Sequence, residues 1–191
     1  MNKKLSNVER KNREVTDEAL IKEHLHKLPM GFIASSDNGQ PFINSNLFWY
    51  SEEEHVIYFH TKKNSNTERV LTANPKTCFS IALMGQLLPH QEALEFSTEY
   101  LGIAIFGNTS VVTDHSKIMF LFGKYFQKYF PNSKPAKGFS IEDAAKATMF
   151  KLSIDEWSCK MNSKPGYEGA FRYSENLDEA FLNNYQRFLN L

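Results

Sequence analysis

Apolar and polar positions alternate along much of the chain between residues 30 and 162, and this two-residue period predicts β-strands. Asp37-Asn38-Gly39 separates the first two runs, where Asn and Gly supply the positive φ angles of a tight hairpin. The predicted strands are Met30–Ser35, Phe42–Tyr50, His55–Thr61, Thr77–Met84, Glu99–Val112 and Thr148–Ile154, with Glu156–Asn162 as an extension of the last. Six strands joined mostly by hairpins predict a mainly β fold, an antiparallel barrel with peripheral helices.

Apolar residues at helical spacing predict helices at the edges of this barrel. Thr16 is a good N-cap for the first helix, which Pro29 stops. The other predicted helices are Asn64–Ala73, Ser116–Phe130, Ser140–Ala147 and Leu177–Leu191. Gly102 and Gly107 interrupt the fifth strand and are predicted bulge or bend points, which a closing barrel requires.

The chain divides into three parts on this pattern. Residues 1–15 form a basic arm, residues 16–162 form the barrel domain, and residues 163–191 form a C-terminal extension with an amphipathic helix. The arm carries five cations without interleaved aromatic residues, which is more typical of a solvated chain end than of a nucleic-acid contact.

Composition favours a soluble globular protein. The 191 residues are 41% hydrophobic and 23% charged with a formal net charge of zero, so nothing favours nucleic acid or an anionic membrane as partner. No apolar run reaches the length of a membrane span, and the polar N-terminus lacks the apolar region of a signal peptide. Cys78 and Cys159 are expected to be reduced thiols. We therefore expect a cytoplasmic location and no membrane association.

Common catalytic and metal-binding motifs are absent from the sequence. It contains no G-x-G-x-x-G, no H-E-x-x-H and no G-x-S-x-G, and the histidines and cysteines lack zinc spacing. No metal site is predicted, and the catalytic side chains, if any, are unknown.

The segment from His60 to Arg69 follows a strand and opens a helix. The free N–H groups of a helix start, nearby hydroxyls and cations can together hold a phosphate. The hydroxyls are Thr61, Ser65 and Thr67, and the cations are Lys62, Lys63 and Arg69. Ser65 and Glu68 also have the spacing of a capping box, so the segment alone is more typical of a capped surface helix with solvated lysines.

Asn44, Ser45 and Asn46 interrupt the apolar pattern of the second strand. Successive polar side chains on both faces indicate a strand that meets the polar edge of a ligand. An exposed edge strand would give the same pattern.

Read in order, several segments resemble the pyridoxamine-phosphate-oxidase-like split-barrel family over roughly residues 14–162, in its nitroimidazole-resistance branch. They are "GFIASSDNGQPFINSNLFWY", "HVIYFHTKKNSNTERVLTANPKTCFSI", "EFSTEYLGIAIFGNTSVV" and "IDEWSCKMN". The resemblance implies a six-stranded split β-barrel and a homodimer with a flavin, FMN, in a groove at the subunit interface.

The resemblance also implies a set of cofactor-binding residues. The second strand would lie along the isoalloxazine, the segment after the third strand would hold the ribityl phosphate, and the element around Trp157 would approach the flavin, from the same or the partner subunit. These residues are Asn44, Ser45, Asn46, Leu47, Phe48, His60, Thr61, Lys62, Lys63, Asn66, Thr67, Arg69, Trp157 and Lys160. Relatives often carry a G-R-K run where this chain has Ser65-Asn66-Thr67, a departure that leaves FAD open as well as FMN.

The function implied is a flavin-dependent oxidoreductase that passes electrons to a small-molecule acceptor, such as a nitroaromatic compound or a quinone. The aromatic residues Phe48, Trp49 and Tyr100 are candidates for the other wall of the acceptor slot. Two alternatives remain at this point. One is a flavin-binding protein without robust turnover, and the other is a haem protein with His60, His90 or His115 as axial ligand.

Overall fold

The structure is a computed structural model that describes residues 4–133 and 137–185. In this part of the chain, six antiparallel strands close into one barrel with the neighbour order β1-β2-β3-β6-β5-β4. The strands are β1 (Met30–Asp37), β2 (Gln40–Ser51), β3 (Val56–Lys62), β4 (Lys76–Leu88), β5 (Ser97–Val111) and β6 (Ala147–Asn162). The predicted six-stranded antiparallel barrel is confirmed.

β4 extends furthest beyond its predicted range. β4 continues to Leu88 through part of the expected loop, because an irregular register between Met84 and Leu87 absorbs the break in alternation at Gly85. β6 is one continuous strand, so Glu156–Asn162 extends it as expected.

Alternation along the strands builds the core. Inward-facing aromatic and β-branched residues fill the barrel, and burial of such side chains is the main driving force for folding. The largest buried side chains include Ile33, Phe48, Tyr50, Ile57, Phe59, Phe79, Ile81, Ile103 and Phe150. Asn38 and Gly39 have φ angles of 51° and 87°, so the predicted hairpin turn between β1 and β2 is confirmed.

Five helices surround the barrel in the described ranges. They are α1 (Glu18–Lys27), α2 (Asn66–Ala73), α3 (His115–Tyr129), α4 (Ile141–Ala144) and α5 (Glu179–Tyr185). The predicted Thr16 cap is wrong: the Asp17 carboxylate accepts from the backbone N–H groups of Ala19 and Leu20 at 2.9 and 3.3 Å. A carboxylate both accepts these bonds and opposes the positive helix end. α5 begins two residues after the predicted Leu177, and residues 186–191 of that prediction lie outside the described residues.

A bulge bends β6 against β5. Phe106 pairs with Glu156 and Gly107 with Ile154, which leaves Asp155 as the extra residue. Gly107 is required there because a Cβ atom would overlap the Ser153 carbonyl oxygen. The prediction of a bulge or bend point is confirmed for Gly107. Gly102 lies in regular register, with no bulge.

The segments that precede β1 and follow β6 both contact the barrel. Val8 is buried, and the Val15 N–H donates to the Cys159 carbonyl at 2.9 Å, so the N-terminal segment follows β6. At the other end, Phe171 and Leu87 exchange backbone hydrogen bonds of 2.7 and 3.2 Å. None of the helices in the described residues combines the length and apolarity needed to cross a bilayer.

Candidate functional site

The barrel splits between β2 and β3. These strands pair only over Phe48–Ser51 and Val56–Phe59. Earlier residues of β2 pair with β1 alone, while β3 from His60 onward pairs only with β6. The backbone of β2 therefore presents an unpaired edge over residues 40–47, which faces the end of β3 across an open fork.

Two tyrosines of α3 bind backbone groups near the apex of this fork, one on each edge of β2. The Tyr125 hydroxyl donates to the Tyr58 carbonyl at 2.7 Å and lies 3.4 Å from the Leu47 carbonyl. The Tyr129 hydroxyl accepts from the Phe48 N–H at 2.9 Å and lies 2.7 and 2.8 Å from the Phe48 and Pro29 carbonyl oxygens, so it joins β2 to the residue that precedes β1. Burial raises the pKa of Tyr125 well above its usual range, which keeps it a donor. These two hydroxyls therefore bind α3 to the backbone of β2, of β3 and of the residue before β1.

Amide side chains of β2 reach into the fork. Asn46 Nδ2 donates to the His60 carbonyl oxygen at 3.1 Å, and Asn44 Nδ2 donates to Asn46 Oδ1 at 2.8 Å. Both amides are half-buried, whereas Ser45 and Leu47 on the opposite face of the strand are exposed. The structure thus brings the predicted residues Asn44 and Asn46 together with the predicted His60.

Phe48 is a core residue and has no exposed side-chain surface. Its ring is fully buried against Phe79, with ring centroids 4.9 Å apart, and its backbone groups are bonded to Tyr129. Its side chain is therefore not a wall for an acceptor. Trp49 is half-buried and stacked on Tyr58 beneath α3.

The His60 side chain points away from the fork, towards α3. Its ring lies 5.2 Å from the ring centroids of both Phe122 and Tyr125. Nδ1 is buried without a hydrogen-bond partner, and burial lowers the pKa of the imidazole. A neutral ring in this position supplies no charge for a phosphate, so His60 contributes its backbone to the fork.

The turn between β3 and α2 carries two exposed lysines at the open end of the fork. Neither Lys62 nor Lys63 forms an ion pair with a carboxylate among the described residues. Ser65 Oγ caps α2 by accepting from the Glu68 N–H at 3.2 Å. The Glu68 carboxylate reaches the Asn64 N–H rather than that of Ser65, so the predicted capping box forms only in part.

Arg69 and Thr67 sit differently from these lysines. The Arg69 guanidinium is paired with both carboxylate oxygens of Asp37 in the β1–β2 hairpin, and it also donates to Asn66 Oδ1 at 2.7 and 3.0 Å. This pairing lowers the pKa of Asp37 and offsets the positive charge of Arg69. Thr67 and Thr61 are buried. The sequence did not indicate Asp37 as a partner of Arg69, because an Asp at this position is already explained by the hairpin turn.

Trp157 and Lys160 lie apart from the fork within one chain. The Trp157 ring packs on His55, with ring centroids 4.8 Å apart. His55 lies five residues before His60 in an extended segment. At about 3.3 Å per residue, the two residues are roughly 17 Å apart. Lys160 is exposed on β6 beside the N-terminal segment. A site that uses these two residues together with the fork requires a second chain.

Comparison with known proteins places this geometry in context. The family model described as pyridoxamine 5'-phosphate oxidase matches residues 17–161. No curated protein shows significant sequence similarity to the chain.

Many solved structures share the fold, among them the following three. A flavocytochrome from Azotobacter vinelandii is 19% identical with a TM-score of 0.73, covering 90% of this chain and 78% of its own. A FAD- and haem-binding protein from Mycobacterium smegmatis is 19% identical with a TM-score of 0.68, covering 80% and 74%. A candidate 5-nitroimidazole antibiotic resistance protein from Bacteroides thetaiotaomicron is 17% identical with a TM-score of 0.65, covering 78% and 86%.

Proposed function

The chain belongs to the pyridoxamine 5'-phosphate oxidase family, and on this basis we propose that it is a flavin-dependent oxidoreductase that binds FMN at the fork between β2 and β3. The observation that carries the proposal is the unpaired edge of β2, which faces two exposed lysines across the open end of the split barrel.

The residues of the fork fit the parts of a flavin nucleotide. The free backbone groups of β2 and the amides of Asn44 and Asn46 offer donors and acceptors to the polar edge of a planar ring. Lys62, Lys63 and the start of α2 offer positive charge to a phosphate. A bound flavin supplies the electron-transfer chemistry, while these residues bind and orient it. We assign no catalytic side chain.

The first prediction concerns the cofactor itself. The purified protein is expected to show the visible absorbance of a flavin, and heat should release a compound with the mass of FMN. Release of FAD would keep the flavin site but overturn the choice of nucleotide. A colourless protein that takes up neither added FMN nor added FAD would overturn the proposal.

A homodimer is part of the proposal, since Trp157 and Lys160 of the partner subunit would complete the site. The outward face of β1, β2 and β4 is apolar and well exposed, which is typical of an interaction surface. Paired residues on this face point to the same side of the sheet. The face consists of Met30, Phe32, Ile43, Leu47 and Met84. Joining two copies through it would cover the exposed apolar side chains beside the fork.

Ile43→Lys tests this surface. A charge in the centre of an apolar interface costs about 2 kcal/mol or more of binding free energy, so the dimer dissociation constant should rise about 30-fold. Sedimentation velocity would measure it, with Ile141→Lys on α4 as the matched control, since Ile141 is also exposed but lies elsewhere. The face is refuted as the interface if the unmodified chain sediments as a monomer, or if both variants dissociate equally.

We propose a small nitroaromatic compound as the electron acceptor of this cytoplasmic enzyme, with a quinone as the related alternative. The reduced protein is then expected to reoxidise faster with a nitroimidazole than free reduced FMN does, followed by stopped-flow absorbance without oxygen. Equal rates would remove the nitroreductase assignment and leave either the quinone as acceptor or a flavin-binding protein without its own turnover.

Haem binding is a second candidate, favoured by the buried and unpartnered Nδ1 of His60, because a neutral imidazole nitrogen is an available iron ligand. Phe122 and Tyr125 now pack against that ring, so a haem would have to displace α3. His90 and His115 are exposed, and His90 Nδ1 already accepts from the Glu92 N–H at 3.1 Å. A Soret band that disappears in His60→Ala would support this candidate.

A further inference from the structure

A second concave site lies behind the fork, between α1, β2 and α3. It is a depression of about 380 Å³. Trp49 of β2 contributes aromatic surface to its lining beside the fully buried Tyr50, and the α1 and α3 sides contribute His26, Lys27, Lys124 and Lys128. Its volume lies within the range of small-ligand pockets, which is about 300–1,000 Å³. None of these six residues belongs to the proposed flavin site.

Carboxylates neutralise some of the cations of this depression but not others. Lys27 is paired with Glu23 at 2.6 Å, and His26 lies 3.5 Å from Glu52. Lys124 and Lys128 form no ion pair with any carboxylate in the described ranges. They stand one helical turn apart on α3, so their ammonium groups are directed to the same side of the helix.

Lys128 is the most constrained of these cations. Its Nζ donates to the Phe48 carbonyl at 3.1 Å and lies 3.4 Å from the Leu25 carbonyl. It also lies 4.0 Å from the centroid of the Phe48 ring. The described residues supply no third hydrogen-bond acceptor for this ammonium group. Burial without a counter-ion lowers the pKa of Lys128 to about 8, so a nearby anion would stabilise its charged form.

We propose that this depression binds a planar aromatic carboxylate. The carboxylate would accept from Lys128, with Lys124 as the second cation, and the aromatic ring would pack on Trp49. A partly buried ammonium group without a counter-ion favours the binding of an anion. An aromatic wall favours the packing of a planar apolar ring. This site does not depend on the proposed flavin site.

Isothermal titration of the full-length protein with 2-naphthoate tests the proposal. Lys128→Met should weaken binding about 10-fold or more, the loss of one charge-assisted contact. Lys128→Arg, which keeps the charge, should bind 2-naphthoate more tightly than Lys128→Met does. Lys76→Met is the matched control, since Lys76 is exposed at the start of β4, does not line the depression and should not alter binding. Thermal melting of each variant checks that the fold is kept.

Proton uptake gives an independent readout. At pH 8 about half of the Lys128 amines are neutral, and a bound carboxylate raises that pKa, so binding should take up about half a proton. Titration in buffers of different ionisation enthalpy measures this uptake, which should vanish in Lys128→Arg. That variant separates Lys128 from the other titratable groups facing it, which are His26, Lys27, Tyr50, Lys124 and Tyr129.

Three results would overturn the aromatic carboxylate site. The first is no binding of 2-naphthoate, and the second is equal binding by the wild type and Lys128→Met. The third is competition by inorganic phosphate or cyclohexanecarboxylate at the same concentration as 2-naphthoate, because recognition would then not involve the aromatic ring.

Discussion

Gly107→Ala is expected to lower the free energy of unfolding by about 3 kcal/mol or more, the upper range for an overpacked site. The new Cβ would overlap the Ser153 carbonyl oxygen at the bulge between β5 and β6. Because that oxygen belongs to a paired backbone, the strain cannot be relieved by a side-chain rotation. The bulge would have to open, and the barrel would lose its closure beside the β3–β6 pairing that positions one side of the fork.

Gly102→Ala in the same strand is the matched control. A Cβ at Gly102 meets nothing within 4 Å, and replacing Gly in a compatible strand removes freedom mainly from the unfolded chain. Its free energy of unfolding should therefore stay within about 1 kcal/mol of the wild type. Urea unfolding followed by circular dichroism measures both variants. Equal stability of Gly107→Ala and Gly102→Ala would contradict this prediction, because it would show that the bulge accommodates a Cβ atom at residue 107 without strain.

The contrast between these two glycines shows how far sequence reasoning reached. Alternation and turn residues predicted the six strands and the hairpin at Asn38-Gly39, because both depend on local geometry. Local pattern could not separate Gly102 from Gly107. The difference depends on the register with β6, where Asp155 is extra, and register across a barrel is a long-range property.

The fork was predictable only in part. Asn44 and Asn46 were singled out because amides break an apolar strand, and the structure places Asn46 on the His60 carbonyl. Tyr125 and Tyr129 lie in the predicted helix Ser116–Phe130, which apolar spacing indicated. The helix forms, but the hydroxyls of these two tyrosines bind backbone groups on the two edges of β2 near the apex of the fork. Helical periodicity reports which face is buried and says nothing about the polar tip of a tyrosine.

The cations of the β3–α2 turn show the same limit. Lys62, Lys63 and Arg69 look equivalent in sequence as phosphate ligands. The structure shows that they differ, because both carboxylate oxygens of Asp37 in the β1–β2 hairpin accept from the Arg69 guanidinium. The charge available to a ligand thus depends on a partner 32 residues away. The sequence reasoning had assigned that partner to a turn.

This difference leads to the prediction with the largest functional effect. Replacing Lys62 and Lys63 together with Met is expected to weaken FMN binding about 100-fold, the loss of two charge-assisted contacts of about 1.5 kcal/mol each. Riboflavin, which has the ring but no phosphate, should bind both proteins within about twofold of each other. Quenching of flavin fluorescence measures all four dissociation constants. Lys76→Met, an exposed lysine at the start of β4, is the control and should leave FMN binding unchanged.

Arg69→Gln distinguishes the two arrangements of charge at this turn. If Asp37 holds the guanidinium when FMN is bound, Arg69→Gln should weaken FMN binding less than either single lysine variant, Lys62→Met or Lys63→Met. A larger loss in Arg69→Gln, specific for FMN over riboflavin, would mean that the ion pair opens and that Arg69 carries the phosphate. An equal loss of FMN and riboflavin in the double lysine variant would instead place these lysines outside phosphate recognition, because a phosphate contact cannot weaken a ligand that has none.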